Sequence, residues 1–351
     1  MNHLLHPRLD TPCEGLAKRA ATNNVVGMKN NTCSVHYLTH PLKRSLGVLC
    51  VALAASALLL AMSSRAQAQG SGTIYCSDFL SGELQSFPLP NGSGGMTYMG
   101  IPNAAGVAFD ASGNLFIVSL TANGTITTSD IWKLPAGSTT PFKWYTANLG
   151  KPHGIAFDLS QNMLIATATN TGTVTGIQKL IISNGNPVMV QPFGTSSSYL
   201  VKPFAVAVDT DGSVFVTDGG GDGNGHPGNG AVLKFNSNGN MHTIFAQMFA
   251  GFYVPYGIAI DGSHYVYITN QTDPTLDHGN MYSFTPQGNL SVTFDPTNLR
   301  NPLGLVFDGA GNLYVANQTG GDIRIFSPTT GTDLGRLTRT DPKPHFLAFK
   351  P

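Results

Sequence analysis

The segment Val254-Pro-Tyr-Gly-Ile-Ala-Ile-Asp261 decides the fold, because the chain states it six times. The other copies are Asn-Ala-Ala-Gly-Val-Ala-Phe-Asp at 103–110, Lys-Pro-His-Gly-Ile-Ala-Phe-Asp at 151–158, Lys-Pro-Phe-Ala-Val-Ala-Val-Asp at 202–209, Asn-Pro-Leu-Gly-Leu-Val-Phe-Asp at 301–308 and Lys-Pro-His-Phe-Leu-Ala-Phe-Lys at 343–350. Successive copies begin 48, 51, 52, 47 and 42 residues apart. Self-similarity at that period marks a repeat architecture, in which one supersecondary unit buries its faces only against its neighbours.

Five copies run into a turn, as in Asp110-Ala-Ser-Gly-Asn114, Asp209-Thr-Asp-Gly-Ser213 and Asp308-Gly-Ala-Gly-Asn312. Asp bonds its own backbone there and Gly accepts positive φ, so the chain reverses tightly. Alternating apolar strands follow at Leu115–Ser119, Val214–Asp218, Val266–Asn270 and Leu313–Asn317, then third strands at Val232–Phe235, Met281–Phe284 and Ile323–Phe326. A Gly/Asn turn and a fourth strand complete each unit. Four antiparallel strands per repeat make one propeller blade. The sixth copy stops at Pro351, and its missing strands stand at the other end: Thr73–Asp78, Glu83–Phe87 and Met96–Met99. The expectation is an all-β, six-bladed β-propeller of four-stranded antiparallel blades, its ring closed by combining N- and C-terminal strands.

Composition agrees. Of 351 residues only 11% are charged, while 41 glycines and 22 prolines punctuate a 41% hydrophobic chain, which suits short strands and tight turns. Residues 69–351 carry 12 Lys and Arg against 17 Asp and Glu, a net −5. A mildly acidic domain with no basic patch argues against nucleic acid as a partner.

The N-terminal segment reads separately. Lys43 and Arg44 precede an uncharged apolar run from Leu46 to Met62, and Ser63-Ser-Arg-Ala-Gln-Ala68 ends it with small residues. These are the basic region, apolar region and Ala-x-Ala site of a secretory signal peptide with a long n-region. Residues 1–68 are assigned to it, with cleavage after Ala68, leaving a domain at 69–351 that is secreted or periplasmic and has no stable membrane span. An uncleaved anchor is the alternative, since the run is just long enough to cross a bilayer; Met28 is an alternative start. Cys13, Cys33 and Cys50 precede the cut, so Cys76 remains alone, with no internal disulfide. It stands in register with Ile117, Val216, Ile268 and Val315 and reads as a buried small hydrophobe.

The Pro-x-Gly-φ-Ala-φ-Asp phrase (φ apolar), Gly311-Asn-Leu-Tyr-Val-Ala-Asn317 and Gly321-Asp-Ile-Arg-Ile-Phe326 resemble the NHL-repeat family. The resemblance covers 72–351 and implies a six-bladed propeller. It says little about activity, because the fold hosts scaffolds, binding modules and enzymes. WD40 propellers fit less well, since their Gly-His and Trp-Asp dipeptides are absent at the repeat spacing.

In such a ring the starts of the first strands, the ends of the second strands and the loops between strands two and three share one face. Three of those loops read as long: Leu120–Ser129, Gly219–Gly230 and Gln271–Asn280. Function is expected on that face. The position between Pro and Gly gives one ring of candidates: Ala105, His153, Phe204, Tyr256, Leu303 and His345. The ends of the second strands give another: Asp78, Ser119, Thr167, Asp218, Asn270 and Asn317. His153 and His345 are candidate metal ligands, because neutral imidazoles bind zinc, with Asp78 or Asp218 as possible oxygen donors. This is similar to a six-bladed relative, the lyase that processes amidated peptides, where three inward histidines hold zinc; only two match here. Gluconolactonase-like propellers place an acidic metal ligand at the Pro-x-Gly position, and no Asp or Glu stands there in this chain. Asp218, Asp222 and Asn224 of the glycine-rich loop offer oxygens for calcium without the EF-hand order; Asp273, Asp277 and His278 read as solvated. Phe204 and Tyr256 would stack on a sugar or small aromatic ligand, or plug the channel.

No nucleophile elbow, phosphate loop or carboxylate pair is present in the sequence. The expected function is therefore a monomeric binding or scaffold module for a protein, peptide or glycan at the long-loop face. The alternative is a metal-dependent lyase or hydrolase at the channel mouth, built on His153 and His345; the cofactor is left open, with zinc at the histidines or calcium at the glycine-rich loop as the candidates.

Overall fold

The computed structural model describes residues 70–123, 126–168, 176–194, 200–220, 230–247, 254–273, 278–339 and 343–351. The proposed signal segment lies outside them. The described chain opens with β1 (Thr73–Asp78), β2 (Glu83–Pro88) and β3 (Thr97–Tyr98). Blade one is β4 (Ala104–Phe109), β5 (Leu115–Asn123), β6 (Ile126–Leu134) and β7 (Phe142–Ala147); blade two is β8 (Lys151–Phe157), β9 (Met163–Ala168), β10 (Gly176–Ser183) and β11 (Asn186–Pro192). Blade three is β12 (Pro203–Val208), β13 (Val214–Asp218), β14 (Ala231–Phe235) and β15 (Met241–Gln247), and blade four is β16 (Val254–Ile260), β17 (Val266–Asp273), β18 (His278–Phe284) and β19 (Leu290–Thr293). Blade five is β20 (Pro302–Phe307), β21 (Leu313–Asn317), β22 (Asp322–Phe326) and β23 (Asp333–Arg339), and the chain ends in β24 (Leu347–Lys350).

Each blade is an antiparallel sheet in sequence order except the sixth, whose order is β24-β1-β2-β3. There β24 pairs with β1 from Thr73↔Lys350 to Cys76↔Leu347. One blade thus joins the N- and C-terminal strands of the described domain, the closure expected from the repeat. Among the described residues there is no helix, and none long and apolar enough to cross a membrane.

The core lies between blades. Phe116, Ile131, Ile165 and Leu180 fill the seam of blades one and two. Leu164, Val206, Val216 and Leu233 fill that of two and three. Tyr267, Met281, Leu305 and Val315 fill that of four and five, and Ile74, Cys76, Tyr314 and Ile325 that of five and six. Cys76 is a free thiol, 3% exposed, and burial pushes it up to about 12, which fits the reading of a packing residue. The Asp turns form as read: the Asp110 carboxylate accepts Ser112 N–H at 2.9 Å, Asn114 N–H at 2.8 Å and Asn114 Nδ2 at 2.8 Å.

Two of the segments read as loops are strands. β5 and β6 stay paired beyond the sheet, from Leu120↔Ser129 to Asn123↔Ile126, and β17 and β18 from Gln271↔Gly279 to Asp273↔His278. The Thr- and Asn-rich sequence hid the extension, because it carries no sustained apolar alternation. The third, between Gly220 and Gly230, falls outside the described residues with Asp222 and Asn224.

Candidate functional site at the channel mouth

The Pro-x-Gly phrase has a structural cause. In blades one to five the pairing of first and second strands slips at this point, as between Pro203 and Ala205 or Pro255 and Ile258. The bulge turns the x residue toward the axis and frees a backbone N–H. The Gly that follows lies where the next blade's first strand approaches: a Cβ on Gly154 would stand 2.8 Å from Ala205 Cα, and one on Gly304 2.6 Å from Phe346 Cα.

In three blades a buried hydroxyl closes this seam. Thr217 Oγ1 accepts Ala205 N–H at 3.0 Å and donates to the Tyr256 carbonyl of the next blade at 2.6 Å. Thr269 Oγ1 accepts Gly257 N–H at 2.8 Å and donates to the Leu303 carbonyl at 2.5 Å. Ser77 Oγ accepts Phe346 N–H at 3.1 Å and donates to the Ala105 carbonyl at 2.6 Å. Sequence reasoning missed this row, because Val118, Ala166 and Ala316 hold the same place in the other blades.

The first ring converges and fills the channel. Phe204 and Tyr256 stack with centroids 4.5 Å apart and planes 20° apart. His153 stands edge-on to both, at 5.2 Å and 6.3 Å. The Tyr256 hydroxyl and His345 Nε2 share a hydrogen bond of 2.8 Å. Phe346 packs on Tyr256 and His345, and Phe79 on His345. Ala105, Phe204, Tyr256, Leu303 and His345 are all buried, and Phe204, Tyr256, Leu303 and Phe346 join one continuous apolar cluster across the ring. Phe346 was legible in the sixth copy, the one in which Phe replaces Gly.

The plug carries no charge at neutral pH. Burial, with a smaller push from His153, holds His345 down to about 3. Burial, with Lys202 and Lys151 nearby, holds His153 down to about 4, although its ring keeps some exposure at the rim. Burial also pushes the Tyr256 phenol above its ordinary range. His153 Nδ1 and His345 Nδ1 are buried without a hydrogen-bond partner.

The second ring turns into the loops. Asp218 accepts Val201 N–H at 3.0 Å and Lys202 N–H at 2.6 Å; Asn270 accepts Val254 N–H at 3.0 Å; Asn317 accepts Arg300 N–H at 2.5 Å and donates to Asn298 O and Asp322 Oδ1. Ser119 accepts Trp132 Nε1–H at 3.2 Å, Thr167 donates to Gly176 O at 3.0 Å, and Asp78 Oδ1 accepts Leu80 and Ser81 N–H at 2.6 and 3.1 Å. All six are buried. Three of them, Asp218, Asn270 and Asn317, pin the segment that leads into the first strand of their blade. Short polar side chains at strand ends satisfy loop N–H groups that would otherwise be orphaned.

A metal centre fits this arrangement poorly. Zinc takes three or four protein ligands, and among the described residues no three of His, Cys, Asp and Glu come together as a ligand set. His345 also commits Nε2 to Tyr256. Asp277 lies outside the described residues, and His278 faces Arg300 Nη1 at 2.8 Å.

No protein-family model and no curated protein sequence matches the chain. Solved structures do. A chain of a nidogen/laminin complex superposes with a TM-score of 0.64 at 16% identity, over 80% of this chain and 99% of that one. The periplasmic gluconolactonase PpgL of Pseudomonas aeruginosa superposes with a TM-score of 0.55 at 13% identity, over 80% and 99%. At these identities the likeness establishes the six-bladed propeller fold.

Proposed function

We propose that the protein is an exported, NHL-type propeller that acts as a binding or scaffold module, holding a protein, peptide or glycan at the face that carries the extended hairpins. The observation that carries this reading is the shape of that face. The β5–β6 ladder runs four residue pairs past Ser119↔Asp130, about 13 Å of strand. The β17–β18 ladder also outruns its sheet, to Asp273↔His278. Blades one and four stand three apart in a ring of six, so these walls oppose each other across a mouth that the aromatic plug closes. Blades five and six turn tightly there, at Asn317–Gly321 and Asp78–Gly82, and leave Leu80 70% exposed between the walls. A framed, shallow, partly apolar surface suits a chain or an oligosaccharide laid across it better than a small substrate swallowed by the channel.

The structural neighbours are compatible with this reading, since one of them stands in a protein–protein complex. The reading as an exported domain rests on Lys43 and Arg44, the uncharged run to Met62 and the small-residue site at Ala68.

The test is binding of the purified protein to peptide and glycan arrays, repeated with a variant whose Thr121–Thr128 and Thr272–His278 hairpins are each cut to an Asn-Gly turn. Ligands retained by the wild type should lose about tenfold or more in affinity. Equal capture by a folded short-hairpin variant refutes the surface.

A further inference from the structure

On the opposite face, between blades one and two, lies a pocket of about 310 Å³. Phe116, Phe157, Lys133 and Asp110 are among the residues that line it, Phe116 almost fully buried beneath. The repeat supplies an internal comparison. Lys133 stands opposite Phe116 in blade one, Lys179 opposite Leu164 in blade two and Lys234 opposite Phe215 in blade three, the same register each time. In blade two the lysine closes on the Asp of its own phrase, with Lys179 Nζ 2.7 Å from Asp158 Oδ2. In blade three the Asp is taken by the neighbouring blade, with Asp209 2.9 Å from His264 Nδ1. In blade one neither partner has an ion pair among the described residues. Lys133 instead lies over the Phe116 and Trp144 rings, at 5.3 and 5.9 Å, and Asp110 is engaged only by uncharged donors of its own turn.

The ion pair that blade two closes directly is therefore open in blade one, with a pocket at the opening. Two opposite charges kept apart beside apolar rings are complementary to a ligand that carries both charges. The volume is at the small end of ordinary ligand sites. A turn residue helps hold the rim: Gln161 adopts a positive φ of 62° and accepts the Ala111 N–H of blade one at 2.8 Å, bridging the two blades beside the pocket. We propose that this pocket binds a small zwitterion, an α-amino acid with an apolar side chain. Its carboxylate meets Lys133, its ammonium group meets Asp110, and its side chain lies against the half-buried Phe157. The site is separate from the hairpin face and does not depend on what that face binds.

The test is calorimetric titration of the purified protein with L-phenylalanine and L-leucine, alongside 3-phenylpropionate and phenethylamine, which each lack one of the two charges. Saturable binding of the amino acids is expected, with each single-charge analogue weaker by about tenfold or more, since charge-assisted hydrogen bonds contribute that much. Lys133→Met, which keeps the stem over the rings, should lose the amino acids to the same degree, while Lys234→Met, at the same register over Phe215 in blade three, leaves them unchanged; melting curves confirm that both variants are folded. No saturable binding at millimolar concentration overturns the proposal. So does undiminished binding by folded Lys133→Met, or 3-phenylpropionate binding as tightly as L-phenylalanine.

Discussion

Replacing Thr269 by valine keeps the shape of the side chain and removes one oxygen. That oxygen links the Gly257 N–H of blade four to the Leu303 carbonyl of blade five, at 2.8 and 2.5 Å, and Thr269 is fully buried. Valine strands a donor and an acceptor where water does not reach, at about 1–3 kcal/mol each. Some relaxation at the bulge recovers part of this, so a loss of about 2–4 kcal/mol is expected. A domain of about 280 residues has an unfolding entropy near 0.6 kcal/mol/K at its midpoint. The expected fall in Tm is therefore about 3–7 °C, read by differential scanning calorimetry. Thr269→Ser retains the oxygen and should fall by no more than a lost methyl costs, about 1 kcal/mol or near 2 °C. A valine variant that melts with wild type, or a serine variant that melts with the valine one, would refute the view that hydroxyl bridges hold the seams of this ring.

Acid should loosen the domain through its plug. His345 and His153 are held below the ordinary histidine value of 6.5, to about 3 and about 4, so the unfolded chain binds more protons than the native one below pH 6.5. Stability they contribute is complete above 6.5 and is lost as pH falls toward 4 and then 3. The Tm between pH 7 and 4.5 should drop more steeply for wild type than for a His153→Gln/His345→Gln double variant, and equal slopes would contradict it. Cys76, buried and with its thiol pushed up to about 12, should resist a thiol reagent at pH 8 in the native protein and react once denaturant is added; rapid labelling of the folded form would show the packing to be wrong. Export makes a further prediction: N-terminal sequencing of protein from the extracytoplasmic fraction should begin at Gln69, and an intact Met1 or Met28 terminus there would refute cleavage after Ala68.

The ring was legible because a blade repeats its own grammar. Asp fixes the turn at Asp110 and Asp308, Gly154 and Gly304 admit the next blade's backbone, and strand alternation needs only a period of two. The candidate site was legible only in part. The phrase put Phe204, Tyr256 and His345 at one level of the channel, but whether such residues line a hole or fill it depends on how side chains from four blades meet, which periodicity does not encode. Strand periodicity alone points Asp218, Asn270 and Asn317 at the mouth. They face their own loops, because a strand end needs its N–H groups satisfied before it can offer a side chain to a ligand. The hairpin walls at Leu120–Asn123 and Gln271–Asp273 were not legible, since their Thr- and Asn-rich sequence lacks a sustained apolar alternation.

The energetics of the plug decide where a ligand can sit. To enter the channel it would have to part Phe204 from Tyr256 and break the Tyr256–His345 bond. Burying each aromatic side chain stabilises the fold by about 1.5–3 kcal/mol, and the hydrogen bond adds about 1 kcal/mol. The opening thus costs on the order of 4–7 kcal/mol, a factor of about a thousand or more in affinity that a ligand on the rim does not face. Phe204→Ala separates the two possibilities. It removes a ring buried to 6% exposure, so it should cost about 3–5 kcal/mol of stability. If the plug is structural, capture at the hairpin face survives in this variant at temperatures where it remains folded. If ligand is lost while the fold is intact, the channel itself is the binding site and the rim reading fails.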